Sequence, residues 1–336
     1  MSETTASLRR KIRGAGDLQS VVRTMKTLAA SSIGQYEESV RALGHYYRAV
    51  ELGLSVCLRS GQSAAAPRPA GGPNRAGVVQ AIVFGSDQGL VGQFNEVVAD
   101  FAVKALADLP GAPRVQAVGE RVHARLLDEG LPLMDPFAVP SSVKGITPLV
   151  GQILTESEAR RDADEVSELY LFYNRPAAGA VYAPVSQRLL PLDESWCHAQ
   201  AGLAWPTQNL PETMGSGAGT LRALVREYLF ISLFRACAES LASENASRLS
   251  AMQRAEKNIQ ELLEGLNSSF HQLRQSGIDA ELFDRVVLDS QIERLGEEWI
   301  SIKKQRSALH VIDRKMLARA VSPYAGPMGR SDEDPS

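Results

Sequence analysis

The sequence predicts an α/β protein with long terminal helices, in which the N- and C-terminal helices form an antiparallel coiled coil around an inserted α/β domain. Three observations carry that prediction. All 17 prolines lie between Pro67 and Pro211 or from Pro323 onward, leaving Met1–Ala66 and Glu212–Ser322 without any. Proline in a helix interior costs about 3 kcal/mol, so two proline-free arms around a proline-bearing middle favour two long helices around a compact insert. Each arm also carries an apolar heptad seam, and the middle alternates short apolar runs with helical spacing.

In the first arm (residues 1–60), steps of four and three from Ala29 reach Ile33, Tyr36, Val40, Leu43, Tyr47, Val50, Leu54 and Cys57, an unbroken apolar run. The register continues upstream through Leu8, Ile12, Ala15 and Val22, broken by Gln19 and Lys26. Gly14, Gly16, Gly34, Gly44 and Gly53 weaken this helix in isolation, so it needs a partner. Residues 61–77, rich in Gly, Pro and Ala, read as a linker.

The middle domain (78–211) opens with a strand at Val78–Phe84, followed by a helix at Glu96–Leu109, a strand at Val115–Val118 and a helix at Glu120–Glu129. A helix at Ile146–Arg161, a strand at Glu168–Tyr173 and one or two strands from Val181 complete it. Alternating strands and helices imply a mainly parallel sheet.

The C-terminal arm (212–295) steps through Leu221, Leu224, Tyr228, Ile231, Ala238 and Ala242, then Leu249, Met252, Ile259, Leu263, Leu266, Phe270 and Leu273. Arg235, Asn245 and Glu256 are its polar exceptions. A second stripe, Phe230, Phe234, Cys237 and Leu241, predicts that the first half is covered by both the other arm and the middle domain or another protein. A helix over Gly219–Gln275 would be about 85 Å long. Residues 296–336 form an extension, helical over Gln291–Ala320 and ending in an acidic, disordered tail.

Composition excludes several classes of function. A net charge of −3 argues against a nucleic-acid binder. No segment reaches the roughly 18 apolar residues of a membrane span, and the N-terminus has no signal-peptide core, which predicts a cytosol-like compartment. Cys57, Cys197 and Cys237 are too scattered for a disulfide framework or metal cluster, and the five histidines show neither metal-ligand nor triad spacing. The loop Gly85–Asn95 follows a strand and precedes a helix, as a phosphate cradle would. It lacks the G-x-G-x-x-G spacing and a Lys before Ser/Thr, so it reads as a structural turn. No catalytic residue, cofactor or metal site is predicted.

Three motifs then carry a resemblance. Leu8-Arg9-Arg10-Lys11-Ile12-Arg13 with Val21-Val22-Arg23-Thr24-Met25-Lys26-Thr27-Leu28-Ala29-Ala30-Ser31 is similar to the N-terminal helix of the gamma subunits of F-type ATP synthases. Ser86-Asp87-Gln88-Gly89-Leu90-Val91-Gly92-Gln93-Phe94-Asn95 resembles that family's signature loop. The third is Glu239–Leu249 with Ala251-Met252, Ala255, Asn258 and Arg274-Gln275.

The resemblance implies that the middle domain is Rossmann-like and that the coiled coil is a central rotor shaft inside a ring of three alpha and three beta subunits. It further implies an epsilon subunit and a membrane c-ring as partners, catalysis on the beta subunits, and a peripheral place on the cytoplasmic side of a bacterial inner membrane. Membrane contact would be through partners only, with no nucleic acid. Met25, Arg248 and Gln275 match positions of ring contact, and Lys26 lies in the same motif as Met25. The basic start, Arg9, Arg10, Lys11 and Arg13, would suit acidic partner loops, and it equally suits a solvated face at the start of a helix. Met25 also suits coiled-coil surface, Arg248 a solvated charge and Gln275 a helix-end polar residue. The competing readings are a non-rotary coiled-coil adaptor and a nucleotide-binding enzyme built on the middle domain.

The chain departs from the family pattern at Ser32, at Asp279 and at Gly89-Leu90-Val91-Gly92, and it continues past Leu295, where family members usually end. These departures point to a divergent branch, such as the alternate, sodium-associated ATPases of some bacteria. The coupling ion itself is chosen by the membrane ring. A regulatory contact that restrains rotation is one expectation for residues 296–336, and a tolerated appendage is the other.

Overall fold

A computed structural model describes residues 4–59, 78–111, 113–162, 166–192, 194–209, 211 and 217–321. The linker expected at 61–77 and the acidic tail at 331–336 lie outside the described residues. Two compact units are formed, Ala15–Leu262 and Met1–Gly14 with Leu263–Ser336.

The elements run α1 (Thr5–Arg59), β1 (Val79–Phe84), α2 (Phe94–Ala107), β2 (Pro113–Val118), α3 (Glu120–Asp128), α4 (Val143–Asp162), β3 (Glu168–Ala177), β4 (Ala180–Leu190), α5 (Glu194–Ala201) and α6 (Gly217–Val321). The sheet order is β2-β1-β3-β4. β1 pairs in parallel with β2 and β3, and β4 closes the edge antiparallel to β3. The stretch from Val181 thus makes a single strand, the return arm of a hairpin whose turn holds Gly179 at φ 82°. The short α5 had no counterpart in the sequence reading, because its residues carry no apolar stripe and none of them is buried.

In the unit Ala15–Leu262, β1 is buried along its whole length, and its period-two side chains feed two cores. Val79, Ala81 and Val83 pack with α2, α3 and β2 through Val98, Ala102, Val115, Val122 and Leu126. Ile82 and Phe84 join the other core with Ile146, Val150 and Ile153 of α4, and with Leu54 of α1 and Leu229, Leu233 and Leu241 of α6. α4 keeps its helical course through Pro148. The second apolar stripe of α6 is covered on this side, with Phe234 8%, Cys237 1% and Leu241 4% exposed.

The helices α1 and α6 are antiparallel within this unit. Gln19 Nε2 donates to Gln260 Oε1 at 2.9 Å, Lys26 Nζ lies 2.6 Å from Glu256, Tyr46 OH donates to Glu227 at 2.8 Å, and the rings of Tyr47 and Tyr228 are 6.1 Å apart. As numbers rise along α1, they fall along α6. At Gly53 the backbones come close enough that an added Cβ would lie 3.1 Å from the Leu224 methyls. That approach is why this helix tolerates glycine there.

In the other unit, Leu8 is 2% exposed and the Arg9 guanidinium sits 5.2 Å over the Phe270 ring, a cation–π contact. The sequence predicts a coiled-coil arm over 212–295 and a helical stretch over Gln291–Ala320 in the extension, and in the structure both are one unbroken helix, α6, to Val321. Its continuation meets only glycine, at Gly277 and Gly296, each weakening a helix by about 1 kcal/mol without breaking it. The next proline is Pro323.

Candidate functional site

The loop between β1 and α2 joins the α/β domain to α6. Its polar groups are spent on structure. Ser86 N donates to Asn95 Oδ1 at 3.0 Å, and Asn95 Nδ2 donates back to Ser86 Oγ at 2.9 Å. The Asp87 carboxylate accepts from Glu120 N at 3.0 Å and from Val139 N at 2.9 Å, tying three segments together. Leu90 sits at φ 63° and Gly92 at φ 59°, which turns the chain so that the Val91 carbonyl accepts the Ser247 hydroxyl of α6. Val91 is 2% exposed. These interactions account for the loop as a joint and leave Ser86 and Asp87 engaged within the fold.

Further contacts reinforce the joint. Tyr182 of β4 bonds to Ser247 and packs edge-on against Phe94, ring centroids 5.4 Å apart. Asn174 of β3 donates to the Phe94 carbonyl at 2.9 Å. Burial, and then the Glu239 carboxylate to which it hydrogen-bonds, push the Tyr173 hydroxyl up to about 12. On the opposite side, Trp196 Nε1 donates to Tyr228 OH at 3.3 Å, and Arg226 pairs with Glu158 at 3.3 Å.

α6 is unusually polar where it meets the domain: Glu239, Ser240, Ser243, Glu244, Asn245 and Ser247 are all buried. Small hydroxyl residues allow the loop and sheet to approach the helix, and Asn245 Nδ2 returns its donor to the Leu241 carbonyl. Burial pushes the Glu244 carboxyl above its usual range, and the neighbouring Arg248 pulls it partly back. Arg248 Nη2 lies 2.6 Å from Glu244, and Nη1 donates to Asn245. With its side chain 13% exposed, Arg248 is an internal partner of Glu244 and not the solvated charge the sequence allowed.

The other sequence-predicted residues fall in three groups. Arg9, Arg10, Lys11 and Gln275 are exposed, Arg9 being stacked on Phe270. Met25 is half-buried beside Gln88, Gly89 and Leu90 of the loop. Lys26 and Arg23 both pair with Glu256, at 2.6 and 3.0 Å. Along the proposed seam, Val50, Leu54, Met252 and Ile259 are buried, while Ile33, Val40, Leu43, Leu249 and Leu263 are half-buried.

One polar break of each seam meets the other, Lys26 facing Glu256, and Gln19 donates to Gln260, which lies beside the second seam. A slip by one heptad would set Lys26 against Leu249 or Leu263, so the Lys26–Glu256 pair sets register. The Lys26 and Arg23 hydrogen bonds lower the Glu256 pKa below the ordinary 4.5. A carboxylate so lowered supplies stability above its unfolded-state value that fades as pH falls through the folded one. The Lys26–Glu256 coupling, measured by a double-mutant cycle with Lys26→Met and Glu256→Gln, is therefore expected to be present at pH 7, to shrink with salt, to start fading as pH falls below the ordinary 4.5 and to be lost once pH passes below the lowered folded-state value. Coupling that persists in strong acid would contradict this origin.

Asp87, Asn95, Asn174, Tyr173, Glu239 and Ser247 were not singled out from the sequence as the joint. The available signal was the spacing Ser240, Ser243, Ser247, a polar stripe inside a helix that is otherwise apolar on that side. Among the described residues, no group of three or more His, Cys, Asp or Glu is placed to hold a metal ion, and no helix is long and apolar enough to cross a membrane.

Comparison with known proteins matches this architecture. The family model described as ATP synthase covers residues 4–286. The gamma chain of Desulfitobacterium hafniense ATP synthase is 26% identical over 293 residues, 85% of this chain and 98% of that protein. The gamma chain from Fuscovulum blasticum is 25% identical over 282 residues, 82% of this chain and 95% of its own length. Among solved structures, the rotor of the Euglena gracilis mitochondrial ATP synthase superposes with a TM-score of 0.55 at 15% identity, over 82% of this chain and 98% of that one. A chain of the same organism's OSCP/F1/c-ring assembly reaches 0.58 at 14% identity, over 86% and 94%. These two show a shared fold. Matched across residues 4–286 and aligned with gamma chains over nearly their full length, the chain belongs to the ATP synthase gamma-chain family.

Proposed function

We propose that this chain is the central rotor shaft of a membrane-associated F-type ATP synthase, coupling ion flow through a c-ring to ATP synthesis or hydrolysis on the beta subunits. It is a non-catalytic subunit. The observation that carries the reading is the joint between the α/β domain and α6 within a register-locked antiparallel helix pair. A torque applied to the domain reaches α6 through Ser247–Val91, Tyr173–Glu239 and Arg226–Glu158 together, at positions from 226 to 247, so the domain cannot swivel about a single contact.

A shaft of this kind acts by making different contacts with each of three catalytic subunits at once, which biases their conformations in turn. In this reading three alpha and three beta subunits surround the helix pair, and an epsilon subunit and the c-ring hold the α/β domain at the cytoplasmic face of a bacterial inner membrane. Arg10, Met25 and Gln275, together with Arg9 and Lys11, are the residues proposed to face the ring. Lys26 and Arg248 support it from within, through Glu256 and Glu244.

Affinity purification of the tagged chain from its native host tests this. Alpha and beta subunits are expected at three copies each per chain, with ATP hydrolysis in the recovered complex. Recovery of the chain without them, or tight nucleotide binding by the chain alone, would favour an adaptor or an enzyme.

A further inference from the structure

Between α1, the β1–α2 loop, residues 139–141 and α6 lies a half-open cavity of about 320 Å³, with the exposed Gln88 and Ser141 at its rim. Glu244 lines it from the inner side, only 6% exposed, and its carboxylate is half satisfied. Oε1 takes the Arg248 guanidinium at 2.6 Å, while Oε2 has no hydrogen-bond partner among the described residues. An orphaned carboxylate oxygen at that depth is costly until a cation reaches it.

The charges around the cavity do not cancel. Glu244 and Asp87 line it against Arg248 alone, with no lysine or histidine among the described residues. Asp87 is engaged by Glu120 N and Val139 N, and Arg248 by Glu244 Oε1 and Asn245 Oδ1, so neither completes Oε2. The Tyr36 hydroxyl stays neutral, because burial and then the Glu244 charge push its pKa up. One negative charge is left over.

We infer that this cavity takes a primary alkylammonium group, the lysine side chain of a partner subunit or a free alkylamine, with its nitrogen at Glu244 Oε2. The walls select that group. Tyr36, Val139, Pro140 and Leu241 offer apolar surface along which a methylene stem can lie, as the stems of long cationic side chains do. The ammonium brings three donors, and the Ser32 hydroxyl on the α1 wall is an acceptor for a second of them. A metal ion would need a shell of oxygen ligands, and among the described residues no group of three or more His, Cys, Asp or Glu is placed to hold one. Burial raises the Glu244 carboxyl, so binding should weaken as pH falls through that raised value and the carboxylate takes up a proton.

Thermal melts of the full chain at pH 7 and fixed ionic strength test this, comparing n-butylammonium chloride with n-butyltrimethylammonium chloride, which keeps the charge and stem but has no N–H. A saturable rise in melting temperature is expected with the first salt and not with the second. Glu244→Gln should weaken the response at least tenfold. Ser32→Lys, which tethers an ammonium at the cavity wall, should melt higher than Ser32→Met and no longer respond to butylammonium. Carbodiimide coupling of the purified complex, read by peptide mass spectrometry, separates the two sources. An isopeptide bond from Glu244 to a lysine of another subunit assigns the site to a partner, and none, with the butylammonium response intact, assigns it to a free amine. No response to butylammonium, equal responses to the two salts, or a response that survives Glu244→Gln or Ser32→Lys would overturn the proposal. The titration needs only the isolated chain, so its failure would leave the rotor reading, tested by subunit recovery, untouched.

Discussion

Leu54→Glu is expected to leave a chain that neither melts cooperatively near the wild-type temperature nor enters the complex. Leu54 is fully buried, in the core where α1, α6, α4 and the sheet meet. Truncation alone is costly: Leu54→Ala should destabilise by about 2–5 kcal/mol, through lost transfer energy and the cavity left behind. Glutamate adds a carboxyl with no counter-charge among Val50, Leu221, Val225 and Leu229, so it must either ionise unpaired or stay protonated at a pKa cost. Against a typical total of about 5–15 kcal/mol, that takes up much of the margin. Circular dichroism melts of the isolated chain, and its yield in the purified complex, read the two consequences separately. A wild-type melt would mean that the helix pair and domain do not share one core. The half-buried seam positions Leu43 and Leu263 should show the same effect with Glu, but more weakly, because part of each side chain still reaches water.

The second large effect is expected at Gly119. Its φ is 119°, a region that side chains rarely adopt, and a Cβ there would lie 2.8 Å from the Ser86 carbonyl carbon and oxygen and 2.9 Å from Ser86 N. Those are backbone atoms held at both ends: Gly85 N donates to the Val118 carbonyl at 2.8 Å, and Arg121 N to the Ser86 carbonyl at 2.9 Å. Gly119→Ala therefore combines conformational strain of about 1–3 kcal/mol with overpacking of about 1–3 kcal/mol. Gly130→Ala is the control. It has φ 75° but nothing within 4 Å of an added Cβ, so only the strain should appear. In denaturant titrations Gly119→Ala should be the more destabilised by about 1–3 kcal/mol, the overpacking share alone. Equal losses would place the whole effect in φ and remove the close approach of the loop as its cause. Because the displaced backbone belongs to the joint with α6, Gly119→Ala should also loosen the coupling of the domain to the helix pair.

Much of the architecture was legible in the residues for simple reasons. Helix pairing is a periodic property, and a period of three and four written over Ala29–Cys57 and Leu249–Leu273 states its face without reference to anything distant. The first strand was legible because a β-branched run between Gly-rich segments can do little else, and its bounds moved by one residue. The family motifs were legible as local strings. What escaped were features whose meaning depends on a partner far along the chain. Arg248 suits a ring contact or a solvated charge by its sequence, and its pairing with Glu244 beneath the domain shows only in the fold. Lys26 and Glu256 looked like two separate flaws in two seams, yet they are a matched pair. α5 escaped for a different reason: a surface helix with no buried residue leaves no pattern to read.

By itself, then, the sequence determined that two helices would seek each other around an α/β insert, and that the chain is a gamma-type member of its family. Hydrophobic periodicity and proline placement act within a few turns of the chain, so they are decided locally. Only the tertiary structure decided the register of the helix pair, the polar joint of Asp87, Val91 and Ser247 that ties the domain to α6, and the solitary course of α6 beyond its partner. Each of these depends on a group that is favourable only when another, often more than a hundred residues away, satisfies its charge, its hydrogen bond or its apolar face.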